Sequence, residues 1–195
     1  MTDTIDPRRA ALLVMDYQNG VVDMLDETDD LLSRAADAIA TVRGAGGQIG
    51  YVRVAFEDAD LEAFPPTSGM GKRVGASGLA LRNDSPTTAV HERVAPEPGD
   101  IIVRKVRVGA FSTTDLDEQL RARGVDTLIL AGISTSGVML STVRDASDRD
   151  YRVIVLADAT ADPQPDVHEF LTERIFPRQG DVITVADLDG LLSGS

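Results

Sequence analysis

Two charged residues stand where charge is costly. Asp16 closes the apolar run AALLVM at residues 10–15, and Lys105 lies inside IIVRKVRV at residues 101–108. A carboxylate at the end of a buried strand loses solvation, which raises its pKa and suits it to general acid–base work. The same group could instead cap nearby backbone amides. An ammonium between Val103 and Val106 needs a counter-ion, and Asp16 is the candidate. Alternation sets Val103, Lys105 and Arg107 on one face and Arg104 and Val106 on the other. Period alone therefore leaves open whether Lys105 meets Asp16 or points to solvent from an edge strand.

The third feature is a junction, ILAGISTSGVMLSTVRDA at residues 129–146, which reads as a buried strand, a tight turn and a helix start. Such a junction is where an α/β hydrolytic enzyme presents a nucleophile. The amides of GISTSG, 132–137, can form an anion or oxyanion site at the helix N-terminus, while Ser134, Thr135 and Ser136 are equally ordinary capping residues. The glycine spacing fits neither a phosphate-binding loop nor a Gly-x-Ser-x-Gly elbow. The 195-residue chain holds no cysteine and only two histidines. His91 and His168 each read as surface residues, without the clustered carboxylates a triad or a zinc site requires.

These residues need a scaffold to bring them together. Strands are expected over 10–16, 48–56, 101–108, 125–133 and 151–159, with a short edge strand opening DVITVADLDGLL near the end. Helical spacing marks 28–44, capped by Thr28, and helices are also expected over 115–123, 137–149 and 165–175. Strands alternating with helices predict an α/β fold: a three-layer α/β/α, doubly wound, mainly parallel six-stranded sheet of Rossmann-like type, with residues 1–195 as one domain. Ligands of such sheets bind beyond the strands' carboxyl ends. Asp16, the segment around Lys105 and Ser134–Val138 lie at or beyond three of those ends. Residues 57–98 hold five prolines, four glycines and no sustained period. They read as an irregular lid or dimer contact, with a short helix around 87–94.

Composition narrows the partners. A net charge of −13 disfavours nucleic acid and anionic membrane. MTDTIDPRRA does not read as a secretory signal, and no apolar run approaches the roughly 18 residues of a membrane span. The expectation is a cytoplasmic protein without disulfides that acts on a small molecule.

ALLVMDYQNG at 11–20, RKVRVGAFSTTDLDEQLRARGVDTLILAGI at 104–133 and STSGVMLSTVRDASDRDYRVIVLADA at 134–159 together resemble the isochorismatase-like (cysteine hydrolase) superfamily in order and spacing. The resemblance implies that Asp16 and Lys105 are two members of a catalytic triad. It implies that the third, a cysteine in the family, falls at Val138, and that a cis peptide joins Ile133 to Ser134. It further implies substrate contact by Gln18, Phe111, Ile133, Ser134 and Gly137, and self-association as a homodimer or higher homo-oligomer. No cofactor is implied. No metal is implied either, because residues 57–75 carry Asp58 and Asp60 but lack the two histidines of nicotinamidase-type members.

Valine is no nucleophile, and Ser136 and Ser141 are displaced along the helix start without an evident base. The reading is thus a hydrolase using Asp16 and Lys105 for acid–base chemistry without a covalent step. True isochorismatases look similar, carry a small residue at that position and hydrolyse a vinyl ether. Val138 is bulkier, and Ser134 to Ser136 replace the aromatic and histidine residues of their turn. The alternative is a non-catalytic small-molecule-binding protein on the same scaffold.

Overall fold

AALLVM and TLILAGI lack polar alternation because both faces of each strand are covered. In the computed structural model, which describes residues 4–76 and 81–192, these are β1 (Ala10–Met15) and β4 (Thr127–Ile133). They pair with each other at the centre of a six-stranded sheet. The other strands are β2 (Gln48–Val54), β3 (Ile101–Lys105), β5 (Arg152–Ala161) and β6 (Asp181–Ile183). The order is β3-β2-β1-β4-β5-β6, and every pair is parallel. The chain winds outward from β1 to β3, returns to β4, and winds outward again to β6. The strand order therefore reverses between β1 and β4, the switch point of a doubly wound sheet.

The helices are α1 (Asn19–Val22), α2 (Asp29–Gly44), α3 (Asp58–Glu62), α4 (Gly69–Ala76), α5 (Leu116–Ala122), α6 (Leu140–Asp148), α7 (Pro165–Phe170) and α8 (Leu188–Leu192). On one side of the sheet Leu32, Ala35 and Ile39 of α2 and Leu188 of α8 pack with Leu12, Val14 and Ile129. On the other, Leu116 and Leu120 of α5 and Val143 and Ala146 of α6 pack with Leu13, Leu128 and Leu130. This gives the three layers. Among the described residues no helix is long and apolar enough to cross a membrane.

Local structure departs from the sequence expectations in four places, each with a physical cause. The strand expected over 101–108 stops at Lys105, whose ammonium draws in the carbonyls of Arg107 (3.3 Å) and Val108 (2.8 Å) and curls the chain. The expected helix around 87–94 is instead two 3-10 turns, Pro86–Thr88 and Glu92–Val94. The residues between are held extended: Ala89 accepts from the Asn19 amide, Val90 bridges Gln18, and the His91 amide donates to Tyr17. Residues 57–98 are not irregular throughout, since α3 and α4 form there. The expected helix over 165–175 is α7 followed by a π-helical turn, Leu171–Ile175.

Candidate active site

Asp16 follows β1 with φ 58°, a left-handed conformation uncommon for a side-chain-bearing residue and often found at functional sites. Its amide donates to Val52 across the neighbouring strand. β3 is an edge strand, yet Lys105 is only 2% exposed, because the Val103 and Lys105 face turns inward while Ile102 lies 53% exposed. The Lys105 side chain crosses the end of β2 and places Nζ 2.8 Å from Asp16 Oδ2. The carbonyls of Arg107 and Val108 take its remaining protons. Asp16 is 5% exposed, and its Oδ1 has no hydrogen-bond partner. Burial pushes the Asp16 pKa up and the ammonium pulls it down; burial prevails.

The junction after β4 supplies the third component. The Ile133–Ser134 peptide is cis. A π-helical turn, Thr135–Met139, follows before α6 begins, and the amides of Gly137 and Met139 both donate to the Ser134 carbonyl at 3.2 Å. Gly137 packs closely on this turn: a Cβ there would lie 2.8 Å from Ser134 Oγ, so the hydroxyl would have to rotate away. Two groups brace the turn from outside. His168 Nδ1 lies 2.8 Å from Thr135 Oγ1, and Asp162 Oδ2 accepts from the amide (2.8 Å) and hydroxyl (2.7 Å) of Ser136. His168 is therefore a half-buried partner of the turn rather than a surface residue. Burial lowers its pKa, with Asp162 opposing in part.

Asp16, Lys105, Ile133, Ser134, Gly137 and Val138 meet at one cavity of about 560 Å³. Val138 is 2% exposed and contributes an alkyl wall. α1 and the residues after it add Gly20, Val21 and Met24, and α4 adds Met70, Arg73 and Val74. The spacing of these last three, i, i+3 and i+4, puts them on one helix face. That face escaped the sequence reading, as did Gly20, Val21, Met24, Val54, Leu81 and Val108. The spacing was visible, but in a glycine-punctuated helix of eight residues it was too short to stand out.

Gln18 and Phe111 do not line the cavity. The Gln18 amide is fully buried, donates to the carbonyls of Val54 and Thr88 (2.9 Å each) and accepts from the Val54 amide (2.7 Å). It ties the end of β2 to the 86–88 turn. Phe111 stacks on Tyr151 at 6.0 Å with the Arg149 guanidinium 4.9 Å from its ring, in the core layer of α5 and α6.

The cavity's roof hangs on Phe64, which packs 5.8 Å from Phe56 and lies under Arg107 at 4.4 Å. α4 presses against this ring so closely that a Cβ on Gly71 would come within 2.9 Å of it. Asp58 pairs with Arg82, and Asp60 with Arg104 at 2.6 Å. Among the described residues no group of three His, Cys, Asp or Glu side chains could hold a metal ion.

This arrangement has relatives. A family model described as the isochorismatase domain matches residues 10–187. The chain is 35% identical over 182 residues to the ureidoacrylate amidohydrolase RutB of Methylobacterium radiotolerans, spanning 83% of this chain and 70% of that protein. It is 34% identical to the uncharacterized isochorismatase family protein YwoC of Bacillus subtilis, over 92% of each chain. A cysteine hydrolase structure from Pseudomonas syringae pv. phaseolicola superposes with a TM-score of 0.88 at 28% identity, covering 98% of this chain and 96% of that one.

Proposed function

The chain belongs to the isochorismatase family, and on that premise we propose that it hydrolyses a small molecule by acid–base chemistry at Asp16 and Lys105, with no covalent enzyme intermediate. The match over residues 10–187 supports reading residues 1–195 as one hydrolase domain. The observation that carries the reaction is the Asp16 carboxyl: a buried group of a cavity-lining residue, held by Lys105 through Oδ2 and without a hydrogen-bond partner at Oδ1. Burial raises its pKa above the ordinary carboxylate value, which suits it to proton transfer. In this reading Val138 stands at the position that the resemblance gives to the family cysteine; valine offers no thiol, and the chain has no cysteine.

The chemistry that fits is hydrolysis of an enol ether. Asp16 transfers its proton to the terminal alkene carbon, leaving an oxocarbenium ion at the carbon bearing the ether oxygen. Lys105 stabilises the carboxylate so formed. Water adds to the cation and returns a proton to Asp16. The hemiketal then collapses, its hydroxyl proton passing to the departing oxygen, to give an alcohol and a ketone. Among the described lining residues Ser134 is the one hydroxyl, and it is the group available to orient the water.

The test is a substrate panel of small vinyl ethers and, because a relative is a ureidoacrylate amidohydrolase, carbamoyl and ureido amides. Turnover of a vinyl ether by the wild type, lost in Asp16→Asn, supports the reading. Amide turnover with an acyl adduct on a serine, seen as a mass shift of the intact protein, overturns it. Binding without turnover, unchanged in Asp16→Asn, gives the scaffold a non-catalytic role.

A further inference from the structure

The cavity's charge runs against that of the chain. The protein carries −13 overall, yet the charged residues lining the cavity are Asp16, Lys105 and Arg73, two cations to one carboxylate. Lys105 is neutralised by Asp16 and saturated with acceptors. Arg73 is not. Among the described residues it has no hydrogen-bond or ion-pair partner. The roof's other arginines are engaged: Arg82 on Asp58, Arg104 on Asp60, and Arg53 on Asn83 and Thr88. An unpaired guanidinium at a cavity wall holds five donors ready for an anion.

The free donors also limit what that anion is. With the Lys105 protons taken by Asp16 and two carbonyls, the planar guanidinium fork is what remains to meet it, a geometry that suits a planar carboxylate. The other walls near Arg73 are apolar: Met24, Met70, Val74, Leu81 and Val108. We propose that the substrate is a small monocarboxylate with an apolar body, its carboxylate held by Arg73 on α4 and its uncharged, acid-labile end at Asp16. The assignment of the reacting end rests on the hydrolase reading above; the anion site does not. Arg73 is exposed at the cavity mouth, so the pairing is solvated and of moderate strength.

The probes are trans-2-hexenoate and its neutral amide, titrated calorimetrically into the full chain. The wild type should bind the acid about tenfold more tightly than the amide, a preference that weakens as salt is raised. Arg73→Gln should abolish the preference and Arg73→Lys should keep part of it, because a point charge remains without the planar fork. Lys72→Gln removes the same charge from an exposed neighbour that does not line the cavity and should change nothing. Equal affinity for acid and amide, a preference that survives Arg73→Gln, or no binding of the acid at about 10 mM overturns the proposal. These are equilibrium affinities and do not depend on turnover. Arg73-dependent binding in a protein that hydrolyses nothing defeats only the hydrolase reading. Unimpaired hydrolysis of carboxylate-bearing vinyl ethers by Arg73→Gln, with unchanged KM, defeats only this one.

Discussion

The floor and the roof of the cavity are built by different physics. Asp16, Lys105 and Ser134–Val138 sit at the ends of β1, β3 and β4, on a sheet packed on both faces. The floor pair is buried, where each ion's desolvation costs several kcal/mol and loss of one partner is punished. The roof, α3, α4 and the turns after them, is held by ring contacts at Phe64 and by partly exposed ion pairs such as Arg82–Asp58, each contributing about 1 kcal/mol or less. A rigid floor suits the reacting atoms, and a loosely held roof suits the choice of substrate. The two regions should therefore separate cleanly in kinetics.

The sharpest break is Asp16→Asn. Removing the acid should lower kcat by about a thousandfold or more, within the usual range for a general acid. It also leaves the Lys105 ammonium buried without an anion, so urea unfolding should show a loss of about 3–5 kcal/mol. A kcat within tenfold of wild type would mean that the floor is not where bonds change.

Lys105→Met tests the same pair from the other side. Burial raises the Asp16 pKa and the ammonium restrains it, so removing the ammonium should raise it further. A carboxyl whose folded pKa exceeds its unfolded value, about 3.9, contributes stability that is present below that value and lost as pH rises through the folded one. In Lys105→Met this loss should extend to higher pH than in the wild type. The alkaline limb of whatever activity remains, set by ionisation of Asp16, should shift the same way. Paired pH–rate and pH–unfolding profiles measure both. A limb that stays put or moves toward acid refutes the assignment of the acid.

How much of this was legible in the sequence follows the same division. The floor was: β1 and β4 declare themselves as short apolar runs of six and seven residues, too short for buried helices and ending at Asp16 and Ile133. Lys105 was half legible. Alternation paired it with Val103, but which face turns inward is decided by packing across an edge strand, not by the local pattern. The roof was not legible. α4 shows one cavity face of three residues among three glycines, and its hold on Phe64 is a tertiary contact that no spacing encodes. Gln18 and Phe111 illustrate the converse, since a residue within a family motif can hold the frame while its neighbour lines the cavity.

A roof substitution should have a smaller and different effect. Phe64→Ala removes the ring on which α4 rests and over which Arg107 stacks. Partial burial limits the stability loss to roughly 1–2 kcal/mol. KM should rise several-fold while kcat stays within about twofold, because Asp16 and Lys105 do not depend on that ring. A fall in kcat equal to the fall in kcat/KM would show that the roof positions the reacting groups, and the division would fail.

The smallest expected effect probes the underside of the floor. His168 braces Thr135 and is half-buried, with its pKa lowered chiefly by that burial. A histidine with a depressed folded pKa contributes stability that is present above its unfolded value, near 6.5, and lost as pH falls through the folded one. His168→Asn keeps a hydrogen-bonding group near Nδ1 but cannot titrate. Between pH 7.5 and about 5 the wild type should lose slightly more unfolding free energy than this variant. Phe64→Ala should lose as much as the wild type over that interval, because the roof change leaves His168 in place. If the wild type and His168→Asn decline in parallel, the Thr135 contact does not couple protonation to the turn. The floor would then owe its position to β4 and the Ser134 carbonyl bonds alone.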